Sequence, residues 1–184
     1  MFFLYILGAY IIGSIPFGLM ISFLGYDTDI RHVGSGNIGM TNVQRTVGTK
    51  AAILTLLGDV GKGWLMVVFS PQKDAGGLMW VGIAVLLGHC YSVFLQGKGG
   101  KGVATALGVM LSISWSIALV CLGVWVGIKF AFKKSSLASL MAMATLLVCT
   151  ILFDGEHWQI ALFTSALVTW RHKDNIERLK QGGE

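Results

Sequence analysis

Long apolar runs, separated by short polar stretches, recur along the whole chain and limit its possible folds more than any other feature. A helix needs about 20 apolar residues to cross the roughly 30 Å hydrocarbon core of a bilayer. Such runs cover residues 2–24, 51–70, 76–96, 135–152 and 157–170, and a longer one covers 103–132. Only 12% of the residues are charged, about half the share found in a soluble domain. The sequence therefore predicts an all-α integral membrane protein.

The run from 103 to 132 is too long for one straight span, because at about 1.5 Å per residue it would measure about 45 Å. The interruption "SISWS" (112–116) offers a place to divide it. With that division the loop lysines and arginines fall on one side of the membrane, and Lys73 lies alone on the other. The positive-inside rule then favours seven transmembrane helices, with the N-terminus outside, the C-terminus cytoplasmic and a short or tilted helix at 103–113.

This topology predicts a single seven-helix membrane domain, 1–184, whose chemistry faces the cytoplasm. The polar, glycine-rich loops all fall on the cytoplasmic side, at 25–50, 97–102, 129–135 and 171–184. The first apolar run lacks a basic n-region and is too long for a signal sequence, so we expect a retained spanning helix.

Several functional classes are disfavoured. Three cysteines lie inside apolar runs without a CxxC pair, which argues against disulfides and metal binding. No nucleic-acid-binding signature is present, and the net charge of +5 reflects loop cations. Asp27 and Asp29 could bind Mg²⁺ together with a substrate, but Arg31 and His32 beside them favour a local charge balance. We expect neither a metal nor a cofactor.

The first polar stretch, "GSGNIGMTNVQRTVG" (34–48), has the composition of an anion-binding loop. Glycines let backbone N–H groups approach a phosphate, short side chains add neutral donors, and an arginine can hold it bidentately. An ordinary turn-rich loop is the alternative. The candidate residues are Ser35, Gly36, Asn37, Thr41, Asn42 and Arg45.

The second stretch, "GKGGKG" (97–102), resembles a phosphate cradle but is not a Walker A loop, because Val103 follows it instead of Lys-Ser or Lys-Thr. Lys101 lies near the start of the next helix, where its charge and the helix N-terminus attract the same anion. The alternative is a flexible turn with a positive-inside anchor. The glycines concerned are Gly97, Gly99, Gly100 and Gly102.

The third stretch is the tail "WRHKDNIERLKQGGE". His172, Asn175 and Arg178 are three residues apart and share one face if the tail begins as a helix, although a solvated end is the alternative. In "KKSSLAS", Ser136 and Ser139 lie close to the N-terminus of a span, which indicates either an anion site or simple capping.

Two charges lie inside a predicted span. Asp59 and Lys62 are three residues apart, so their side chains can face one another. Unpaired charges in lipid are costly, and we expect a structural ion pair that supports the loops.

Together, "GSIPFG", "GSGNIGMTN", "DVGKG", "GKGGKGVAT" and "RHKDNIERLKQGGE" resemble the acyl-phosphate:glycerol-3-phosphate acyltransferases, bacterial membrane enzymes of phospholipid synthesis. The resemblance covers nearly the whole chain. It implies a multi-pass protein of the bacterial cytoplasmic (inner) membrane that transfers the acyl group of a fatty acyl phosphate to the 1-hydroxyl of glycerol 3-phosphate. The products would be lysophosphatidic acid and phosphate.

The resemblance also implies roles for individual residues. Ser35 and Arg45 would act in the first motif, the loop around Lys101 would bind glycerol 3-phosphate, and His172 and Asn175 would act in the third. Glu184 would match the family's motif glutamate, with a structural role. We expect a monomer in contact with membrane lipid. The competing hypothesis is a membrane carrier for phosphate or a phosphorylated metabolite, which typically shows internal repeats that this chain lacks.

Overall fold

A computed structural model describes residues 1–183, and within them the chain is helical. One 3₁₀ turn, Val93–Leu95, interrupts the series of α-helices. The helices are α1 (Phe2–Ser14), α2 (Phe17–Tyr26), α3 (Met40–Thr46), α4 (Thr49–Val68), α5 (Ala75–Cys90), α6 (Val103–Ile113), α7 (Trp115–Phe132), α8 (Ser135–Phe153), α9 (Trp158–Arg171) and α10 (Lys173–Lys180).

Several of these elements are long and apolar enough to cross a membrane. Among residues 1–183 they are α4, α7, α8 and the stretch Ala75–Leu95, which joins α5 to the 3₁₀ turn. Helices α1 and α2 meet the same criterion only when they are taken as one bent pair. Helix α6 is apolar but has only 11 residues, and α9 has 14. The all-helical prediction is confirmed, with four to five candidate spans.

The first apolar run is not the single helix that its composition predicts. Helices α1 and α2 meet at an angle of 41°, with a break around Pro16. Proline has no N–H to donate and disfavours helical geometry in the residue before it, and Ile15 is accordingly extended, with ψ 117°. The prediction of one spanning helix over 2–24 is therefore wrong in this respect.

The division of the run 103–132 is confirmed. Helix α6 ends at Ile113, Ser114 leaves the helical region with φ −146° and ψ 87°, and α7 begins at Trp115. The break falls inside the "SISWS" interruption, and α6 has the bounds expected for the short helix.

Glycines bring two pairs of helices into backbone contact. A Cβ on Gly88 of α5 would lie 2.1 Å from the Tyr10 carbonyl oxygen of α1, and a Cβ on Gly13 would lie 2.3 Å from that of Val85. Gly63 of α4 and Gly108 of α6 approach the facing helices equally closely. Small residues allow this approach between apolar helices, where water provides no driving force for association. The backbones of α1 and α5, and of α4 and α6, are thus packed directly together.

Helices α7 and α8 pack without such a glycine contact. Ala118 and Cys121 of α7 and Ala142 and Leu146 of α8 belong to one buried apolar cluster. Gly123 on α7 has open space around it and makes no such contact. Outward-facing side chains of these helices, among them Phe153, are large, apolar and exposed, as a lipid-facing surface requires.

Candidate active site

A cavity of about 500 Å³ lies between α6, α7, α8 and the polar loops. One end is polar and is lined by groups such as Arg45, Lys101 and His172. The other end is apolar and is lined by side chains such as Met110 and Leu146. Loops that are far apart in sequence therefore meet at one end of an apolar chamber.

The glycine loop folds back onto the end of α5. The N–H of Gly99 donates to the carbonyl of Cys90 at 3.2 Å, and that of Gly100 donates to the carbonyl of His89 at 3.0 Å. A Cβ on Gly99 would lie 2.1 Å from the His89 carbonyl oxygen, and one on Gly100 would lie 2.2 Å from His89 Nε2. Only glycine fits at these two positions, because His89 occupies the space that a side chain would need.

Arg171, the last residue of α9, holds the loop from the other side. Its Nε donates to the Gly100 carbonyl at 3.1 Å, and its terminal nitrogen donates to that of Gly99 at 2.8 Å. The guanidinium also stacks over the ring of Tyr91, 5.1 Å from its centre. The loop is therefore fixed by backbone hydrogen bonds to α5 and by an arginine from the tail.

Lys101 leaves this loop and points into the polar end of the cavity. Its Nζ donates to Oδ1 of Asn175 at 2.5 Å, and Nδ2 of Asn175 donates to Oγ of Ser136 at 2.7 Å. This chain of hydrogen bonds joins the glycine loop, α10 and the start of α8. An ammonium group has three donors, so the bond to Asn175 is compatible with a further bond to a phosphate.

His172 lies between α9 and α10, and its imidazole is buried beside Asn175. Its Nδ1 lies 2.8 Å from the Val168 carbonyl oxygen, which can only accept a hydrogen bond. In the neutral ring the proton is therefore on Nδ1 and the lone pair on Nε2. This is the tautomer that a general base requires at Nε2.

The first polar stretch divides into a folded support and a cavity wall. Asn42 is buried, accepts from the N–H of Ser35 at 2.9 Å, and donates to the carbonyls of Ile30 and Val33. Helix α3, which sequence patterning did not predict, holds it there. Asn42 lines the cavity, but these bonds give its side chain a loop-closing role. Ser35 and Arg45 line the polar end directly.

The start of α8 forms the remaining polar wall. Lys129 of α7 donates to the Ser135 hydroxyl at 2.7 Å. Trp125 donates its indole N–H to the Ser139 hydroxyl at 3.1 Å, and that hydroxyl donates to the Ser135 carbonyl. The polar end of α7 is thus tied to α8 at the level where the cavity becomes apolar.

Asp59 and Lys62 form the ion pair that their spacing predicts, with 2.8 Å between Oδ1 and Nζ. Lys62 also donates to the carbonyl of Ile15 at the α1–α2 break, at 2.9 Å. His89 Nδ1 lies 3.4 Å from the same carboxylate oxygen. All three side chains are buried, and Asp59 and His89 line the cavity below the glycine loop. One buried cluster therefore supports both the break and the loop.

All of the predicted catalytic residues line this cavity. So do Asn37, Thr41, Asn42, Gly102, Ser136, Ser139 and Asp59. Gly36, Gly97, Gly99, Gly100 and Lys62 are not among the lining residues; Gly99 and Gly100 instead support Lys101 through their backbone. Glu184 lies outside the described residues.

One member of the acidic pair in the first loop, Asp29, forms an ion pair with a neighbouring arginine. Arg31 holds Asp29 in a two-point contact, with nitrogen–oxygen distances of 2.9 and 2.6 Å. This hydrogen bonding lowers the pKa of the Asp29 carboxyl to about 2. Among residues 1–183, no group of three or more His, Cys, Asp or Glu side chains is arranged to hold a metal ion.

Three elements of the site escaped sequence reasoning. Arg171 looked like one of several cytoplasmic cations, but it bonds the glycine loop. Trp125 was not among the candidate residues, but it lines the cavity. His89 was not among them either, although it lies against Gly100. Nothing local marks these residues, because their partners lie in other helices.

Comparison with known proteins matches residues 3–182 to the family described as glycerol-3-phosphate acyltransferase. The chain belongs to this family. It is 44% identical to a glycerol-3-phosphate acyltransferase of Geotalea daltonii, over 97% of this chain and 94% of the relative. It is 42% identical to one from Caulobacter vibrioides, over 97% of this chain and 84% of the relative.

Solved structures of a family member share the fold. The glycerol 3-phosphate form of PlsY, an integral membrane glycerol 3-phosphate acyltransferase, is 39% identical and superposes with a TM-score of 0.95. That match covers 100% of this chain and 94% of PlsY. The lysophosphatidic acid form gives a TM-score of 0.90 at 38% identity. The acyltransferase resemblance seen in the sequence motifs is confirmed at the level of family and fold.

Proposed function

We propose that this protein is a glycerol-3-phosphate 1-O-acyltransferase that uses a fatty acyl phosphate as its donor. The observation that supports this most strongly is the joining of a cationic polar end and a deep apolar end in one cavity. Both substrates have phosphates for the polar end, and the donor has a hydrocarbon chain for the apolar end. The relatives are named for glycerol 3-phosphate, and PlsY was solved in forms with that substrate and with lysophosphatidic acid.

Cations from separate loops surround the polar end. Lys101 enters from the glycine loop, Arg45 from α3, and Arg178 from α10 at the exposed rim. We assign Lys101 and Arg45 to the phosphates, with neutral hydrogen bonds from Ser35 and Asn175. Charge-assisted hydrogen bonds to phosphate are short and strong, and they are stronger still where water is excluded.

The transfer requires little covalent chemistry, because an acyl phosphate is already activated. The 1-hydroxyl oxygen of glycerol 3-phosphate attacks the acyl carbonyl carbon and forms the ester C–O bond. The bond between that carbon and the phosphate oxygen breaks, and inorganic phosphate leaves with the electron pair. Positioning and neutralisation of the developing charge are therefore the main tasks of the site.

The hydroxyl proton needs an acceptor, and we assign it to Nε2 of His172. Its bond to Val168 supports this assignment, because it places the ring proton on Nδ1. A substrate phosphate is the other candidate, since the second pKa of a phosphomonoester is about 6.

A membrane carrier is less compatible with the cavity. The polar residues gather at one end, while Met110, Ala118 and Leu146 at the other end are packed in one buried cluster.

The test of the proposed activity uses protein purified in detergent, incubated with acyl phosphate and glycerol 3-phosphate. Acyltransferase activity should release lysophosphatidic acid and inorganic phosphate in equal amounts without any sealed compartment. A carrier would release neither, and that result would overturn the proposal.

We further propose seven crossings in the bacterial inner membrane, with the C-terminus and the active site in the cytoplasm and one chain sufficient for activity. In support, residues from all four loops predicted to be cytoplasmic line the same end of one cavity formed by a single chain. Single cysteines can test the orientation. Lys73→Cys should react with an impermeant maleimide in intact spheroplasts, and Lys134→Cys should react only after permeabilisation. The reverse pattern would overturn the orientation.

A further inference from the structure

The apolar half of the cavity has a definite depth. On α8 the lining residues of the whole cavity extend from Ser135 to Leu146, which at about 1.5 Å per residue spans about 16 Å. Helix α7 runs back along α8 after a short connection, and its lining residues extend from Trp125 to Ala118. Ala118 and Leu146 are therefore the deepest lining positions of their helices, measured from the phosphate end.

The deep end is closed by packed side chains. Met110 of α6, Ala118 and Leu146 have only 2%, 1% and 1% of their surface exposed and belong to the same buried cluster. Closer to the phosphate end the wall is less sealed, since Leu122 lines the cavity with 37% of its surface exposed. A hydrocarbon chain that follows α8 inward thus meets a floor made by Met110 and Leu146, with the small side chain of Ala118 beside it.

Small side chains create the space above that floor. Ala106, Ala118, Cys121 and Ala142 line the apolar half, where larger residues would fill it. Ala142 precedes Leu146 by one helical turn, and so lies about 6 Å nearer the phosphate end. Among these small positions, Ala118 of α7 and Ala142 of α8 lie at different depths on facing helices.

We propose that Ala142 and Ala118 determine the length of the fatty acyl chain that the enzyme accepts, with Leu146 and Met110 as the floor. This inference rests on the proposed function, because it assigns the acyl chain of the donor to the apolar half. Chains that reach the floor are favoured by burial of each methylene, and longer chains must displace packed side chains. Burial of one methylene corresponds to about a fourfold change in affinity.

Larger residues at the two small positions should shift the preference by different amounts. Ala118→Leu fills space only at the floor, so it should disfavour the longest accepted donors and leave shorter ones unchanged. Ala142→Leu fills space one turn nearer the phosphate and should disfavour intermediate donors as well. If the larger side chain prevents burial of about three methylenes of the acyl chain, the preference for a long donor over a short one should fall by roughly sixtyfold.

The experiment is an internal competition in mixed detergent micelles. An equimolar series of even-numbered acyl phosphates from eight to eighteen carbons is offered with glycerol 3-phosphate, and mass spectrometry gives the product ratios. Leu146→Ala should move the ratios in the opposite direction, toward longer chains. Val120→Leu is the matched control on α7, since Val120 is 51% exposed and does not line the cavity.

The outcomes separate the two proposals. If the wild type forms no lysophosphatidic acid from any donor, the proposed function fails. If it forms product but the variants at Ala118, Ala142 and Leu146 keep the wild-type ratios, the inference about chain length is overturned, and the chain extends past Leu122 into lipid instead. Ratios that shift in the graded order, with Val120→Leu unchanged, support it.

Discussion

Lys101 and Asn175 are in direct hydrogen-bond contact, Nζ to Oδ1 at 2.5 Å, although 74 residues separate them in sequence. The contact joins the glycine loop after α5 to α10, and Asn175 continues it to Ser136 on α8. A phosphate bound at Lys101 would therefore meet groups from three parts of the chain.

The two lysines of the glycine loop should differ in importance. Lys101→Ala removes one of the cations at the polar end, and losing a charge-assisted hydrogen bond should cost about 1.5–3 kcal/mol, or roughly ten- to a hundredfold in kcat/KM. Lys98→Ala is the matched control, because Lys98 is exposed and does not line the cavity. Steady-state kinetics, with circular dichroism to check folding, should show a mild effect for it. An inactive Lys98→Ala beside a normal Lys101→Ala would contradict the placement of the phosphate.

Loss of the base should lower kcat more than it raises KM. His172→Gln keeps a polar side chain of similar reach but cannot accept the hydroxyl proton, and general-base catalysis contributes about 10²–10⁴-fold. The measurement is kcat for the variant at saturating concentrations of both substrates. Near-wild-type kcat would exclude His172 as the base and favour a substrate phosphate.

Two glycines of the same loop should respond differently to alanine. At Gly99 an added Cβ would lie 2.1 Å from the backbone oxygen of His89, so the loop must shift and Lys101 with it. At Gly97 nothing lies within 4 Å, and the cost is the positive φ of 80°, on the order of 1 kcal/mol. We expect Gly99→Ala to raise KM for glycerol 3-phosphate at least tenfold more than Gly97→Ala. Equal effects would show that the approach to His89 is unimportant.

Replacing one partner of the buried ion pair should destabilise the protein more than replacing both partners. Asp59→Leu leaves the Lys62 ammonium buried without its carboxylate, a change that typically costs about 3–5 kcal/mol. The double variant Asp59→Leu/Lys62→Met leaves no uncompensated charge and should recover much of the loss in thermal unfolding in detergent. If the double variant is no more stable than Asp59→Leu, the separate contacts of Asp59 with His89 and of Lys62 with the Ile15 carbonyl matter more than the ion pair itself.

Activity should persist in excess EDTA. Arg31 already occupies the Asp29 carboxylate, which leaves Asp27 as a single acidic neighbour. In the proposed mechanism, Lys101 and Arg45 neutralise the charge of the phosphates instead of a metal ion. Release of inorganic phosphate, measured with EDTA and again with added magnesium, checks this. A complete loss of activity that magnesium restores would contradict it.

Local chemistry accounts for what could be predicted from the sequence. Apolar composition predicts the spans, and the serines around Ser114 predict the end of α6, because a polar interruption is costly inside a membrane helix. Pro16 was visible but was outweighed by the apolar run around it. Helix α3 went unnoticed because its seven residues are mostly polar and show no apolar period.

The contacts within the site depend on tertiary structure. The sequence singled out Lys101, His172 and Asn175 as separate candidates, and the fold is what brings them to one cavity. Arg171 and Trp125 each act on a partner in another helix, so no spacing in the sequence indicates them. The apolar half of the cavity likewise results from three helices, and no single run of residues reveals its depth.

The glycine contacts constrain one half of the molecule more than the other. Helices α1, α4, α5 and α6 touch backbone to backbone, so almost any substitution at Gly13, Gly88, Gly63 or Gly108 would push them apart. The glycine loop (97–102) lies between α5 and α6, and these closely packed helices hold both of its ends. Helix α7 has no glycine in such a contact, since a Cβ on Gly123 or Gly127 would meet nothing within 4 Å, and α8 contains no glycine. Under the proposed function, substitutions deep on α7 and α8 can therefore change the acyl-chain preference without disturbing the glycine loop.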